Sequence, residues 1–226
     1  KYFDVVIGYG ELGGADLESL KRKGLKLVFV PIKRGSINFL HDIKSLLYIW
    51  KFFKREKPDI VHLVTIKPYL YGGIIARLTN VPCLVSAVSG LGTLFTSQNL
   101  KTKILRILLF PIYCVAFNHF NQIVILQNNE DANVLVNWGV LNYNKIILLK
   151  GSGVKIEKFA NIQDPNGIPV VCFAARLLIE KGVYEFLLAA KLLDQRGLQA
   201  RFILAGDLDT KNPTGLNIDD LNKIKD

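Results

Sequence analysis

The sequence contains no methionine in its 226 residues, only three cysteines, three histidines and two tryptophans, and fewer acidic than basic side chains. Each shortage narrows the reading. With no Met, and with Lys1 standing almost directly before the strand-like run Phe3-Asp4-Val5-Val6-Ile7, residue 1 reads as an internal start. The stretch from Ile218 to Asp226 reads as an unfinished helix, with no Gly or Pro to stop it. Cys83, Cys114 and Cys172 lie far apart, each inside an apolar stretch. With no CxxC pair and no disulfide framework, they are expected to be small buried hydrophobes in a reducing compartment. No cluster of carboxylates with ligand spacing occurs, so no metal is expected.

Long apolar runs are also missing. The longest, residues 107–117, has eleven residues and is interrupted by Pro111, too short for the roughly 20 that a membrane-spanning helix needs. It reads first as a buried core helix. The second reading is a helix lying in a membrane surface, with Lys101, Lys103 and Arg106 directed at lipid phosphates. The shortage of acidic residues leaves 29 Lys and Arg against 19 Asp and Glu, a net charge of +10. That charge favours anionic partners: nucleic acid, nucleotide diphosphates or acidic lipid. No zinc-finger spacing, RNA-recognition signature or basic-aromatic platform is present, which sets nucleic acid aside.

What is present is alternation. Half of the residues are hydrophobic, enough for a core. Short β-branched strands are expected at 3–7, 25–30, 60–64, 83–88, 122–126 and 145–149. Helices are expected at 17–23, 39–57, 70–78 and 130–138. In the long helix at 39–57, Phe39, Leu40, Ile43, Leu46, Leu47, Trp50 and Phe53 share one face, which should be the buried one. Lys44, Lys51, Lys54 and Arg55 fall on the other side. Strand–helix alternation with apolar strands implies a parallel sheet covered on both faces. Around 161–167 the chain turns polar, and the alternation then restarts with a strand at 169–174, a helix at 182–195 and a strand at 201–205. Two domains are therefore expected, 1–160 and 161–226.

Ligands of such sheets bind beyond the carboxyl ends of the strands, so the loops there carry the functional reading. Gly8-Tyr9-Gly10-Glu11-Leu12-Gly13 matches a dinucleotide fingerprint. The acidic residue that should close the next strand is replaced by Ile32-Lys33-Arg34, so a glycine-bearing loop is the better reading. Other strands run into Thr65-Ile66-Lys67-Pro68, Ser89-Gly90-Leu91-Gly92, Gln127-Asn128, Gly151-Ser152-Gly153-Val154 and Arg176-Leu177-Leu178-Ile179-Glu180-Lys181-Gly182. Arg176 and Lys181, followed by the start of a helix at Gly182, would offer a diphosphate two cations and free N–H groups. The alternative is that both are ordinary surface charges, Lys181 simply pairing with Glu180. His62 closes an apolar strand and reads as a core histidine, while His41 and His119 have no assignable partners.

In this order, and together with Lys57-Pro58-Asp59-Ile60-Val61-His62 and Gly206-Asp207-Leu208-Asp209, these stretches resemble family 4 of the retaining glycosyltransferases. The resemblance is to the branch acting on polyprenyl-linked intermediates of capsule, O-antigen and glycoprotein glycans, and it spans roughly residues 1–215. It implies two Rossmann-like, doubly wound α/β domains of the GT-B type, the first lacking its initial strand and the second truncated. It implies transfer of a hexose or N-acetylhexosamine from a nucleotide sugar, taken as a UDP-sugar, to a polyprenyl-diphosphate-linked glycan. No further cofactor is implied. The location implied is peripheral, on the inner face of the plasma membrane. Donor diphosphate binding falls to Arg176, Lys181 and Gly182. The acceptor side of the cleft falls to Thr65, Lys67, Ser89, Gly90 and Asn128, though Asn129-Glu130 departs from the family's Gln-Asn-Pro-Asp-Asp pattern. Gly151 and Gly153 would form a hinge. The family's catalytic glutamate pair is expected beyond Asp226, which would leave this fragment inactive. The rivals are a UDP-sugar epimerase of the same plan and an inactive membrane-surface binding module.

Overall fold

The structure is a computed structural model that describes residues 3–10, 17–33, 38–96, 99–151, 153–158, 166–209, 214–217 and 219–220, with Thr93 and Thr96 described at the backbone only. Its contacts divide the chain into two compact units, Lys1–Val154 and Lys155–Asp226. Both are α/β, and every paired strand in them is parallel.

The first unit begins with β1 (Val6–Tyr9), α1 (Leu17–Arg22) and β2 (Lys26–Phe29), the two strands forming a parallel pair. Next come α2 (Phe39–Glu56), β3 (Ile60–Val64), α3 (Ile66–Leu78), β4 (Cys83–Val88) and the short α4 (Thr93–Thr96). α5 (Leu100–Phe117), β5 (Gln122–Leu126), α6 (Asn129–Asn137) and β6 (Ile146–Leu148) complete it. Strands β3, β4, β5 and β6 are neighbours in sequence order in one four-stranded sheet.

One face of that sheet is the core. Val61, Leu63, Leu84, Ser86, Val88, Gln122, Val124 and Leu126 alternate along three strands, and all are buried. The buried Gln122 amide donates to the Ser86 hydroxyl and to the Ala116 carbonyl, 3.1 Å each, so the polar groups inside this layer find partners. α3 lies against β3 and β4 and packs on α5. The crossing needs glycine: a Cβ on Gly73 would stand 2.6 Å from the Ala116 carbonyl oxygen of α5. An aromatic cluster of Tyr69, Tyr113, Phe117, Phe95 and Trp138 fills the space beside it.

The face opposite that core is exposed on β3 and half-buried on β4. Ile60, His62 and Val64 alternate with the buried positions of β3 and are exposed, so His62 is not a core residue. The apolar run of β3 hid an alternation of burial that sequence periodicity could not show.

Three element readings are also corrected. The helix expected at 70–78 begins at Ile66, because Pro68 sits in the first turn, where its missing N–H is no loss. The run 107–117 belongs to the longer α5, and Pro111 lies inside it rather than breaking it. Ile107, whose carbonyl loses its helical partner to Pro111, is an exposed residue, as Pro111 is. In α2 the buried residues are Ser45, Ile49 and Phe53, whereas Phe39, Leu40, Ile43, Leu47 and Trp50 are exposed. The helix is apolar over an arc wider than one neighbour can cover.

The second unit contains β7 (Val170–Ala174), α7 (Val183–Gln195) and β8 (Arg201–Ala205), with β7 and β8 paired. Its small core is Leu177, Val183 and Leu216, with Phe173, Leu187, Leu204 and Leu208 against it. The polar stretch expected to join the domains lies at 161–167, of which 161–165 are outside the described residues.

Candidate functional site

Two groups of residues gather at carboxyl ends of strands, one in each unit. In the first unit, β3 ends at Val64 and α3 starts at Ile66. Thr65 makes the turn with φ 73° and ψ 164°, a region that glycine occupies without strain and threonine does not. Lys67, two residues on and expected on the acceptor side, is held by Asp42 of α2, with Nζ 2.8 Å from Oδ1 and both side chains only 19% exposed. The Lys67 ammonium also lies 5.7 Å above the Tyr71 ring. Burial pulls the Asp42 carboxyl upward, but Lys67, the Tyr71 phenol and the neighbouring His41 outweigh it and hold Asp42 below the ordinary aspartate value. Burial and the Asp42 carboxylate push the Tyr71 phenol up.

Ser89 is exposed and follows β4 directly. Gly90 and Gly92 have φ of 147° and 67°, so this loop depends on residues without a Cβ. Asn128 follows β5 as the N-cap of α6: its Oδ1 accepts from the Asp131 N–H at 2.7 Å. It therefore orders a helix end, and the departure at Asn129-Glu130 does not disturb the cap. Gly151 and Gly153, expected as a hinge, have φ of 75° and 67° and stand just before the division at Val154, while Ser152 is outside the described residues.

In the second unit, β7 leads into Arg176, and a 3-10 turn over Ile179–Lys181 brings the chain to Gly182 (φ 85°) at the mouth of α7. No side chain caps α7, so its first-turn N–H groups are left to a ligand or to water. Arg176 and Lys181 are both exposed. The Arg176 loop is bonded to the segment after β8. Leu177 N donates to Asp207 O (3.2 Å), Ile179 N to Thr214 O (2.9 Å) and Leu216 N to Leu177 O (3.0 Å). Gly206 lies against the Ala175 carbonyl so closely that no Cβ fits. Arg176 Nη1 is 2.8 Å from Asp209 Oδ2. Glu180 accepts from the Thr214 hydroxyl, which with its own backbone N–H, Lys181 and Arg176 holds its carboxyl below the usual range. The ion pair considered for Lys181 and Glu180 is thus a minor influence on Glu180 beside Thr214.

Gly8 lies inside β1, paired with Val28, and Gly13 is outside the described residues. Two concavities of about 270 and 310 Å³ open at the amino ends of the strands, beside Cys114 and Lys145 and beside Pro58 and Val81. There Lys145 donates to the carbonyls of His119 (2.9 Å) and Phe117 (3.4 Å), closing the end of α5. Burial, with Arg77 nearby, pulls its ammonium pKa down. His119 is fully buried, bonded through Nδ1 to Asn121. These groups serve the fold. Among the described residues no group of three or more His, Cys, Asp or Glu could hold a metal ion.

Sequence reasoning missed Asp42, Tyr71 and Thr214 and gave Asp209 no role. The one available signal was an acidic residue in the first turn of a helix, which reads as ordinary dipole pairing.

A family model for glycosyl transferase 4-like proteins matches residues 14–128. An N,N'-diacetylbacillosaminyl-diphospho-undecaprenol alpha-1,3-N-acetylgalactosaminyltransferase of Campylobacter jejuni is 28% identical over 218 residues, covering 91% of this chain and 56% of that protein. A UDP-Gal:alpha-D-GlcNAc-diphosphoundecaprenol alpha-1,3-galactosyltransferase of Escherichia coli is 28% identical over 206 residues, covering 85% of this chain and 52% of that protein. The crystal structure of a glycosyltransferase from Rickettsia africae superposes with a TM-score of 0.58 at 16% identity, covering 96% of this chain and 55% of that one, a likeness of fold. The chain thus spans about half the length of the curated relatives it matches. With its family model covering half of its residues, the chain belongs to the glycosyl transferase 4-like family.

Proposed function

We propose that this chain is part of a retaining glycosyltransferase that, as a whole, moves a hexose or N-acetylhexosamine from a UDP-sugar to a polyprenyl-diphosphate-linked glycan in bacterial surface polysaccharide synthesis. The observation that carries the reading is the grouping of Arg176, Lys181 and the uncapped mouth of α7 beyond the carboxyl end of β7. In the transfer, the bond between the anomeric carbon and the donor phosphate oxygen breaks, an acceptor hydroxyl oxygen bonds to that carbon, and the hydroxyl proton leaves with the diphosphate. Negative charge develops on the departing diphosphate. A guanidinium, an ammonium and a set of backbone N–H groups stabilise such charge where water is excluded. Asp209 occupies one edge of the Arg176 fork, and the remaining N–H donors stay for phosphate oxygens. The name of the Escherichia coli relative supports UDP as the nucleotide, and both names support a diphosphoundecaprenol acceptor.

An acceptor of that kind lies in a membrane, and the first unit carries surfaces suited to one. On α5, Leu100, Ile104, Ile107 and Leu108 are exposed along one side, with Lys101 and Lys103 among them. Arg106, expected to join these lysines, is half-buried with its Nε enclosed. The exposed stripe of α2 is accompanied by Lys44, Lys51 and Lys54. No helix among the described residues is long and apolar enough to cross a membrane. The reading is therefore a protein resting on an anionic inner membrane face.

Calorimetric titration with UDP tests the donor site. UDP should bind, and Arg176→Ala and Lys181→Ala should each weaken binding about tenfold or more, the worth of a charge-assisted hydrogen bond. Equal affinity in all three proteins would remove the diphosphate grip and the function built on it.

A further inference from the structure

Lys67 is the first unit's counterpart of Arg176, a cation beyond the carboxyl end of a strand, and it is not left to find its own orientation. Three chain segments converge on it. The Asn38 side chain caps α2 by accepting from His41 N at 3.1 Å. The buried Ser45 hydroxyl donates to the Pro31 carbonyl just after β2, tying α2 to that strand. Asp42, thus fixed, reaches across to α3 and takes the Lys67 ammonium at 2.8 Å, with the Tyr71 phenol against the same carboxylate. The ammonium lies over the Tyr71 ring. Two residues before Lys67, Thr65 keeps a backbone conformation that the surrounding contacts must impose. A partly buried ion pair is a weak way to gain stability, since apolar residues of similar volume commonly serve as well. Its use here is better explained by direction: one N–H of the ammonium is spent on Asp42 and two remain.

We propose that Asp42 and Tyr71 are positioning residues that aim the Lys67 ammonium at the diphosphate of the lipid-linked acceptor. The inference rests on the acceptor reading above. It makes a prediction opposite in sign to simple electrostatics. Removing a carboxylate next to a cation should strengthen binding of an anion by charge alone. If Asp42 positions Lys67, removing the carboxylate weakens binding instead.

The test measures binding of the chain to neutral phosphatidylcholine vesicles with and without undecaprenyl diphosphate. Wild type should prefer the diphosphate-bearing vesicles, and Lys67→Gln should lose about tenfold of that preference. Asp42→Asn should lose about three- to tenfold despite its less negative charge, and Asp42→Glu should recover part of it. Tyr71→Phe, which changes no charge and threatens the fold least, should lose about two- to threefold. Binding to plain vesicles should not change in any variant. If folded Asp42→Asn and Tyr71→Phe both bind the diphosphate vesicles as tightly as wild type, or tighter, the positioning role is overturned and the acceptor reading stands. If wild type itself shows no preference, the acceptor reading falls and takes this inference with it.

Discussion

Thr65 shows what a single residue contributes. Its φ of 73° and ψ of 164° cost about 1–3 kcal/mol for a residue with a Cβ. Thr65→Gly should therefore raise stability by about 1 kcal/mol after the added chain entropy of glycine is offset, as urea unfolding would measure. Asp42 gives a pH signature. Its folded pKa lies below its ordinary value near 3.8, so its stabilisation is present in full above that value and is lost as pH falls through the lower one. Asp42→Asn should be less stable than wild type at neutral pH, and the gap should close as pH falls through and below the ordinary aspartate range in unfolding titrations. None of this was legible in the sequence. Lys67 could be picked out because it follows a strand, but its partner lies 25 residues earlier on another helix, and the twist at Thr65 leaves no mark on residue type.

At the scale of elements, helices and strands were legible because their apolar periodicity is strong, and most limits agree within a few residues. Which apolar face packs was not legible. On α2 both the stripe Ser45-Ile49-Phe53 and the stripe Phe39-Ile43-Leu47-Trp50 have helical spacing, and the neighbour that selects the first, α3, is specified elsewhere. The α3–α5 crossing is a point where an element's place depends on one residue. Gly73→Ala would push a Cβ into the Ala116 carbonyl and should destabilise by about 1–3 kcal/mol, as overpacking does, measurable by thermal or urea unfolding. The exposed side of α5 gives the other prediction. Ile107→Asp with Leu108→Asp should leave melting unchanged, since both side chains are exposed, and should weaken sedimentation with phosphatidylglycerol vesicles. Unchanged sedimentation would remove α5 from the membrane face.

For the whole molecule, the parallel α/β class and the gathering of candidate residues at carboxyl edges followed from alternation alone. In the second unit the sequence placed Arg176, Lys181 and the mouth of α7 together. It could not show that the loop is built jointly with the segment after β8, because Asp207, Asp209, Thr214 and Gly215 meet it only through the pairing of β7 with β8. The central claim is that the protein transfers sugar from a UDP donor to a lipid-linked acceptor. The most direct measurement supplies the whole protein with radiolabelled UDP-sugars and undecaprenyl-diphosphate-linked saccharide, then separates the lipid and nucleotide fractions. The account predicts label in the lipid fraction, dependent on acceptor and abolished with Arg176→Ala. Label that stays on UDP as an epimerised sugar, formed equally well without the lipid acceptor, would contradict it.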